Sequence, residues 1–125
     1  MPPTARRRLG SQGEGYARHY LEAHGYVFVT ANWHCAAGEL DLVMREGDEV
    51  VFVEVKTRRG EQMGSAEESL SPAQANRLLV ASEWFLAETP ALSAAIWRID
   101  LVAITLDQTG AVHRLSHLIN AVGVG

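Results

Sequence analysis

The sequence predicts an α/β sandwich, a mixed sheet carrying a helix on each face. Three observations support this. Stretches with three-and-four apolar spacing alternate with β-branched and aromatic runs, in the order helix, three strands, helix, two strands. The run from Val50 to Lys56 is apolar on both faces, as a strand in mid-sheet must be. At 125 residues and 47% hydrophobic content, the chain is long enough for one domain with its own core.

Met1 to Arg8 holds two prolines and three arginines and reads as a flexible basic arm, residues 1–9, ahead of a single domain over 10–122. A helix is expected from about Ser11 to His24, capped by Gly25, with Ala17, Leu21 and either Tyr20 or His24 facing inward. Tyr26–Thr30 is the first strand, near a sheet edge, and Ala31–Gly38 leads into a hairpin. That hairpin pairs Glu39–Met44 with Val50–Lys56 across Glu46-Gly47-Asp48-Glu49, a run rich in turn residues. Arg58–Ser71 is polar and reads as a loop. Ser71-Pro72-Ala73-Gln74 then starts a helix, with Ser71 as N-cap and Gln74 completing a capping box. Its inward face is Ala75, Leu78, Leu79, Ser82, Phe85 and Leu86, and Thr89-Pro90 stops it. Two strands, Trp97–Leu106 and Val112–Leu118, close the domain around an Asp107–Gly110 turn.

A formal charge of −4 argues against charge-driven binding of nucleic acid over the whole surface but leaves room for a local basic patch. One cysteine, Cys35, allows no internal disulfide, which fits a reducing cytoplasm. No apolar run approaches the ~18 residues of a membrane span, and Arg6-Arg7-Arg8 has no apolar segment behind it.

The informative charges lie in the hairpin. Alternation places Val50, Phe52, Glu54 and Lys56 on one face, and Glu39, Asp41 and Val43 on one face of the partner strand. If those faces coincide, Asp41, Glu54 and Lys56 converge. Two carboxylates and an amine so placed suggest a metal site, since charges in a buried strand are costly unless paired or metal-bound. The plainer alternative is a Glu54–Lys56 ion pair. Glu14 shares the inward face of the first helix, although a carboxylate at a helix start is also favoured by the dipole. Arg58 and Arg59 stand where a phosphate backbone could pass. Asp100, in an apolar strand, reads as a structural partner for Arg98 or Arg77.

Asp41, a gap of twelve residues, then Glu54-Val55-Lys56 resembles the PD-(D/E)XK nuclease motif, with Leu40 where a proline often stands. Gly13-Glu14, Ala17, Leu21, Gly25-Tyr26, Asn32, Gly38–Leu42, Phe52–Arg58, Arg98-Ile99-Asp100 and His117–Ala121 resemble the YraN family of small bacterial proteins. That family is grouped by similarity with junction resolvases and restriction-endonuclease-like folds. The resemblance implies such a fold and a Mg²⁺- or Mn²⁺-dependent endonuclease acting on DNA, with branched or junction DNA among the substrates. It implies catalytic roles for Glu14, Asp41, Glu54 and Lys56, with Asp41, Glu54 and Glu14 around the metal. Glu39, Gln74, Arg58 and Arg59 would support the site or bind substrate. Many relatives carry lysine near the position of Gln74, so positive charge from the second helix is in question. A homodimer follows by analogy with resolvases. The alternatives are a nucleic-acid-binding module that keeps the fold without turnover, and an interaction domain whose charges are buried ion pairs.

Overall fold

The computed structural model describes residues 5–60 and 70–122, with side chains from Gly10 onward. Its elements are α1 (Ala5–Ala23), β1 (Val27–Cys35), β2 (Gly38–Glu46), β3 (Glu49–Arg59), α2 (Pro72–Ala87), β4 (Trp97–Leu106) and β5 (Val112–Leu118), with a 3₁₀ turn at Pro90–Leu92. The strands lie in sequence order in one five-stranded sheet. β3 and β4 run parallel across the α2 crossover, and every other neighbouring pair is antiparallel. This is the predicted mixed sheet, and its element order is consistent with a restriction-endonuclease-like fold.

Each face of the sheet buries its own cluster. Ala17 and Leu21 of α1 pack on Leu42, Met44, Val51, Val53, Val102 and Ile104. Leu78, Ala81, Phe85 and Leu86 of α2 pack on Leu40, Val43, Val50, Phe52 and Ile99. β3 contributes to both clusters, which is why its run from Val50 to Val53 is apolar throughout. Phe85 meets Trp33 and Phe52 edge-on, with ring centroids 5.3 and 5.7 Å apart.

The punctuation is local chemistry. α1 ends in a Schellman pattern, with Gly25 N–H donating to Glu22 and Tyr26 N–H to Leu21, and Gly25 at φ +89°. Both arms of the Ser71–Gln74 capping box are formed. Gly47, at φ +60°, takes the first central position of the two-residue β2–β3 turn.

Three boundaries differ from expectation. The α1 backbone starts at Ala5, inside the stretch read as an arm, because the Arg6–Leu9 run is made of good helix formers. β1 runs on to Cys35, since residues read as a connection pair with β2 from Ala31↔Leu42 to Cys35↔Gly38. Arg58 and Arg59 belong to β3, not to a loop, because the parallel ladder continues to Arg59↔Leu106. The rest of the expected loop, 61–69, lies outside the described residues.

One close contact seats α1 on the sheet, and one polar network ties β4 to its neighbours. A Cβ at Gly13 would lie 1.8 Å from Thr57 Oγ1, so α1 reaches β3 at a distance that only glycine permits. Across β4, Arg98 and Asp100 share a face two residues apart. The Arg98 guanidinium donates to both Asp100 oxygens (2.9 and 3.3 Å), to Tyr26 Oη (2.9 Å), and to Glu46 and Glu49 in the hairpin arms. Asp100, fully buried, also accepts from His117 Nε2 (2.8 Å) and Asn120 N–H (2.9 Å), and Tyr20 Oη lies 3.3 Å from His117 Nδ1. Burial alone would raise the Asp100 carboxyl. The donors from His117, Arg98 and Asn120 outweigh it and hold the group below its ordinary range. The structural role expected of Asp100 therefore falls to Arg98 as partner.

Candidate functional site

The site begins where the β2–β3 ladder stops. Pairing runs from Glu46↔Glu49 to Leu42↔Val53 and no further. Beyond it Val55 N–H donates to Asp41 Oδ2 at 2.9 Å, so a side chain takes the place of the next strand partner. Strict alternation also fails here. Leu42 belongs to the α1 cluster, yet Leu40, two residues earlier, is buried with the α2 cluster. The strands part around Asp41, and four carboxylates gather at that opening.

Glu54 is half-buried and hydrogen-bonded to Asp41. Desolvation, then the hydrogen bond and charge of Asp41, push its carboxyl up to about 9, against a smaller opposing pull from Lys56. Glu14 reaches the same cluster from α1. Burial and then Asp41 raise it to about 7, with Asn32 opposing the rise. Glu39 adds charge to both. Lys56 lies two residues beyond Glu54 on the same strand and is half-buried. Thus Glu14, Glu39, Asp41, Glu54 and Lys56 come together. Arg58 and Arg59 continue β3 away from the acids, with Arg59 exposed. Gln74 lines a small cavity with Glu39 and Glu54, while its side-chain oxygen accepts from Ser71 N–H.

Burial and mutual crowding favour the protonated form of two of these acids. Among the described residues, no three His, Cys, Asp or Glu side chains stand together as a ready metal cage. The donor set itself suits a hard cation: oxygen ligands only, crowded enough that two of them keep protons well above the ordinary carboxylate range. The same fact makes stability depend on pH. Both groups are raised on folding, so their favourable contribution is complete below about 4.5 and is lost as pH rises through about 7 and about 9. In EDTA the melting temperature should therefore fall between about pH 6 and about pH 9, and Glu54→Gln should flatten that decline. A melting temperature that rises over this interval would rule out protonated carboxyls at the site.

Three residues near the acids were given no role at the site by the sequence reading. Asn32 falls between the pairs Ala31↔Leu42 and Trp33↔Leu40, level with Asp41, and has φ +51°. With its amide nitrogen turned toward the acids it donates to Glu14 (3.1 and 3.3 Å) and to Glu39 (3.2 Å). His34 lies 3.8 Å from Glu39, and both line a cavity of about 470 Å³ with Glu14 and Asn32. Arg77 lines the smaller cavity beside Glu54. An asparagine inside a strand-like run was the available signal for Asn32, since strands are poor in asparagine. For Arg77 it was the three-residue spacing from Gln74.

Comparison with known proteins places this geometry in context. A family model described as "Uncharacterised protein family UPF0102" matches residues 13–104, a span containing all four clustered acids and Lys56. A UPF0102 protein of Chloroflexus aurantiacus is 42% identical over 121 residues, covering 97% of this chain and 98% of its own. One from Roseiflexus castenholzii is 42% identical over 120 residues, covering 95% and 97%. One from Nitrosococcus oceani is 38% identical over 108 residues, covering 86% and 87%.

Proposed function

Since the chain belongs to the UPF0102 family, whose description carries no activity, function must be argued from the site, and we propose a metal-dependent endonuclease of the PD-(D/E)XK type that hydrolyses phosphodiester bonds in DNA. The carrying observation is the group of acids at the parting of β2 and β3, two of them holding protons far above the usual carboxylate range, with Lys56 two residues beyond Glu54.

In this reading Asp41 and Glu54, with the Val55 carbonyl, would hold Mg²⁺ or Mn²⁺, and Glu14 would join them directly or through a water. The ion would supply Lewis acidity toward the phosphate and lower the pKa of a bound water. The protein's own groups do the remainder. Glu54, raised by burial and by Asp41, would have to release its proton to solvent for the two carboxylates to hold a cation. Lys56 orients the attacking water or offsets the charge that develops on the phosphoryl oxygens. Asn32 keeps Glu14 and Glu39 at fixed spacing through its amide. A cytoplasmic setting, where the free Cys35 thiol is stable, belongs to the same reading, as does a two-fold homodimer by analogy with resolvases.

A second reading, a nucleic-acid-binding protein that keeps the nuclease fold without turnover, is favoured by one observation: Gln74, the α2 residue beside Glu54, is uncharged and has its side-chain oxygen engaged in the capping box. One assay separates the two. Purified protein is incubated with labelled linear, flap, junction and single-stranded substrates in Mn²⁺ and in EDTA. Cleavage in Mn²⁺ alone is the expected result. Binding without cleavage on every substrate would establish the second reading, and neither binding nor cleavage would remove both.

A further inference from the structure

The second helix does present a positive charge to the site, from a position other than Gln74. Arg77 stands one turn beyond Gln74 on α2, so the two side chains project to the same side. Both line the cavity of about 90 Å³ that Gly38, Glu39, Glu54 and Leu78 complete. A Cβ at Gly38 would lie 3.9 Å from Arg77 Cβ, so this arginine sits over the first residue of β2, three positions from Asp41. Gln74 is partly committed, since its side-chain oxygen accepts from Ser71 N–H in the capping box.

Arg77 is an exposed residue of α2. Among the described residues it makes no hydrogen bond, ion pair or ring contact, although two carboxylates line its cavity. By contrast Arg98, the other arginine set against the hairpin acids, is fully engaged with three carboxylates. An exposed guanidinium beside an acidic centre, paired with none of the described acids, is suited to an anion from outside. Its planar fork of donors matches two phosphate oxygens at once.

We propose that Arg77 binds a backbone phosphate of the nucleic acid on the α2 side of the acidic cluster, next to the bond that is cut and outside the metal's own ligands. This rests on the reading of the site as a nucleic-acid site and adds which residue recognises the polyanion there. Arg77 acts as a phosphate anchor, with Lys56 left to the scissile group.

The test is a binding titration of a labelled DNA oligonucleotide in EDTA, where no cleavage occurs, repeated across a salt series for wild type, R77A, R77Q and R77K. R77A and R77Q should weaken binding about five- to ten-fold at low salt. They should also reduce the slope of log affinity against log salt by about 0.7 on single strands or about 0.9 on duplex, one phosphate's worth. R77K should keep the slope while losing part of the affinity, because the charge remains and the fork does not. The melting-temperature shift given by Mn²⁺ should be the same in all four proteins. If wild type binds and the R77A and R77Q slopes match it, the anchor is refuted while the nuclease reading stands. If R77Q loses the Mn²⁺ shift while still melting cooperatively, Arg77 belongs to the metal centre and the proposal fails. If wild type binds no nucleic acid, the functional reading itself falls and the anchor falls with it.

Discussion

Asp41→Asn is expected to lower metal-dependent cleavage on the order of a thousand-fold or more while leaving the fold intact. The isosteric amide keeps an oxygen to accept the Val55 N–H, so the contact that ends the β2–β3 ladder survives. What disappears is one charge at the centre of the cluster, the one that raises both Glu14 and Glu54. Three readouts should therefore move in different directions. Cleavage falls, the melting temperature in EDTA stays level or rises slightly, and the extra stability given by Mn²⁺ disappears. Glu54, freed from its strongest neighbour, should titrate closer to an ordinary glutamate, which carboxyl-carbon NMR can follow. Wild-type cleavage in the variant, or an undiminished Mn²⁺ shift, would take Asp41 out of the chemistry.

Asp100→Ala should have the opposite profile, a large loss of stability with no direct effect on the acids. Its carboxylate is fully buried and satisfies Arg98, His117 and the Asn120 N–H together. Removing it strands a guanidinium that is itself only 10% exposed, and breaking a buried pair from one side costs about 3–5 kcal/mol. Asp100→Asn should cost less, since the amide oxygen can still accept one of the three donors. Replacing Arg98 and Asp100 together by apolar residues should recover part of the loss. Urea denaturation at neutral pH measures each term. A loss below about 1 kcal/mol in the alanine variant would mean that the network adds little.

Much of this was legible in the chain. The capping box at Ser71, the glycine after α1, and the bounds of β4 and β5 are written in residues whose local chemistry has few alternatives. Strand ends were harder because partners decide them. Nothing in Arg58-Arg59 says strand until β4 lies alongside, and nothing in Ala31–Cys35 does until β2 folds back. The convergence of Asp41 with Glu54 follows from alternation in outline, but the parting of the strands does not. It depends on where Leu40 and Leu42 find room, on opposite sides of the sheet. Asn32 was hidden for a similar reason, its significance lying in a left-handed backbone and two carboxylates from other elements. Arg77 was read only as a possible partner of Asp100, because its place beside the hairpin acids depends on how α2 packs on β2.

The α2 crossover between β3 and β4 also sets an order of events during folding. The β2–β3 hairpin needs only a two-residue turn to close, whereas the parallel β3–β4 pair must wait for a whole helix to form and return. Asp41 and Glu54 belong to the fast, local step, and the Arg98 clamp belongs to the slow one. For an interval the nascent chain therefore holds its mutually repelling acids on a hairpin that Arg98 has yet to brace. Because burial is the largest cause of the raised Glu54 and Glu14 carboxyls, those acids acquire their unusual proton affinity only once the helices and β4 have closed over the hairpin.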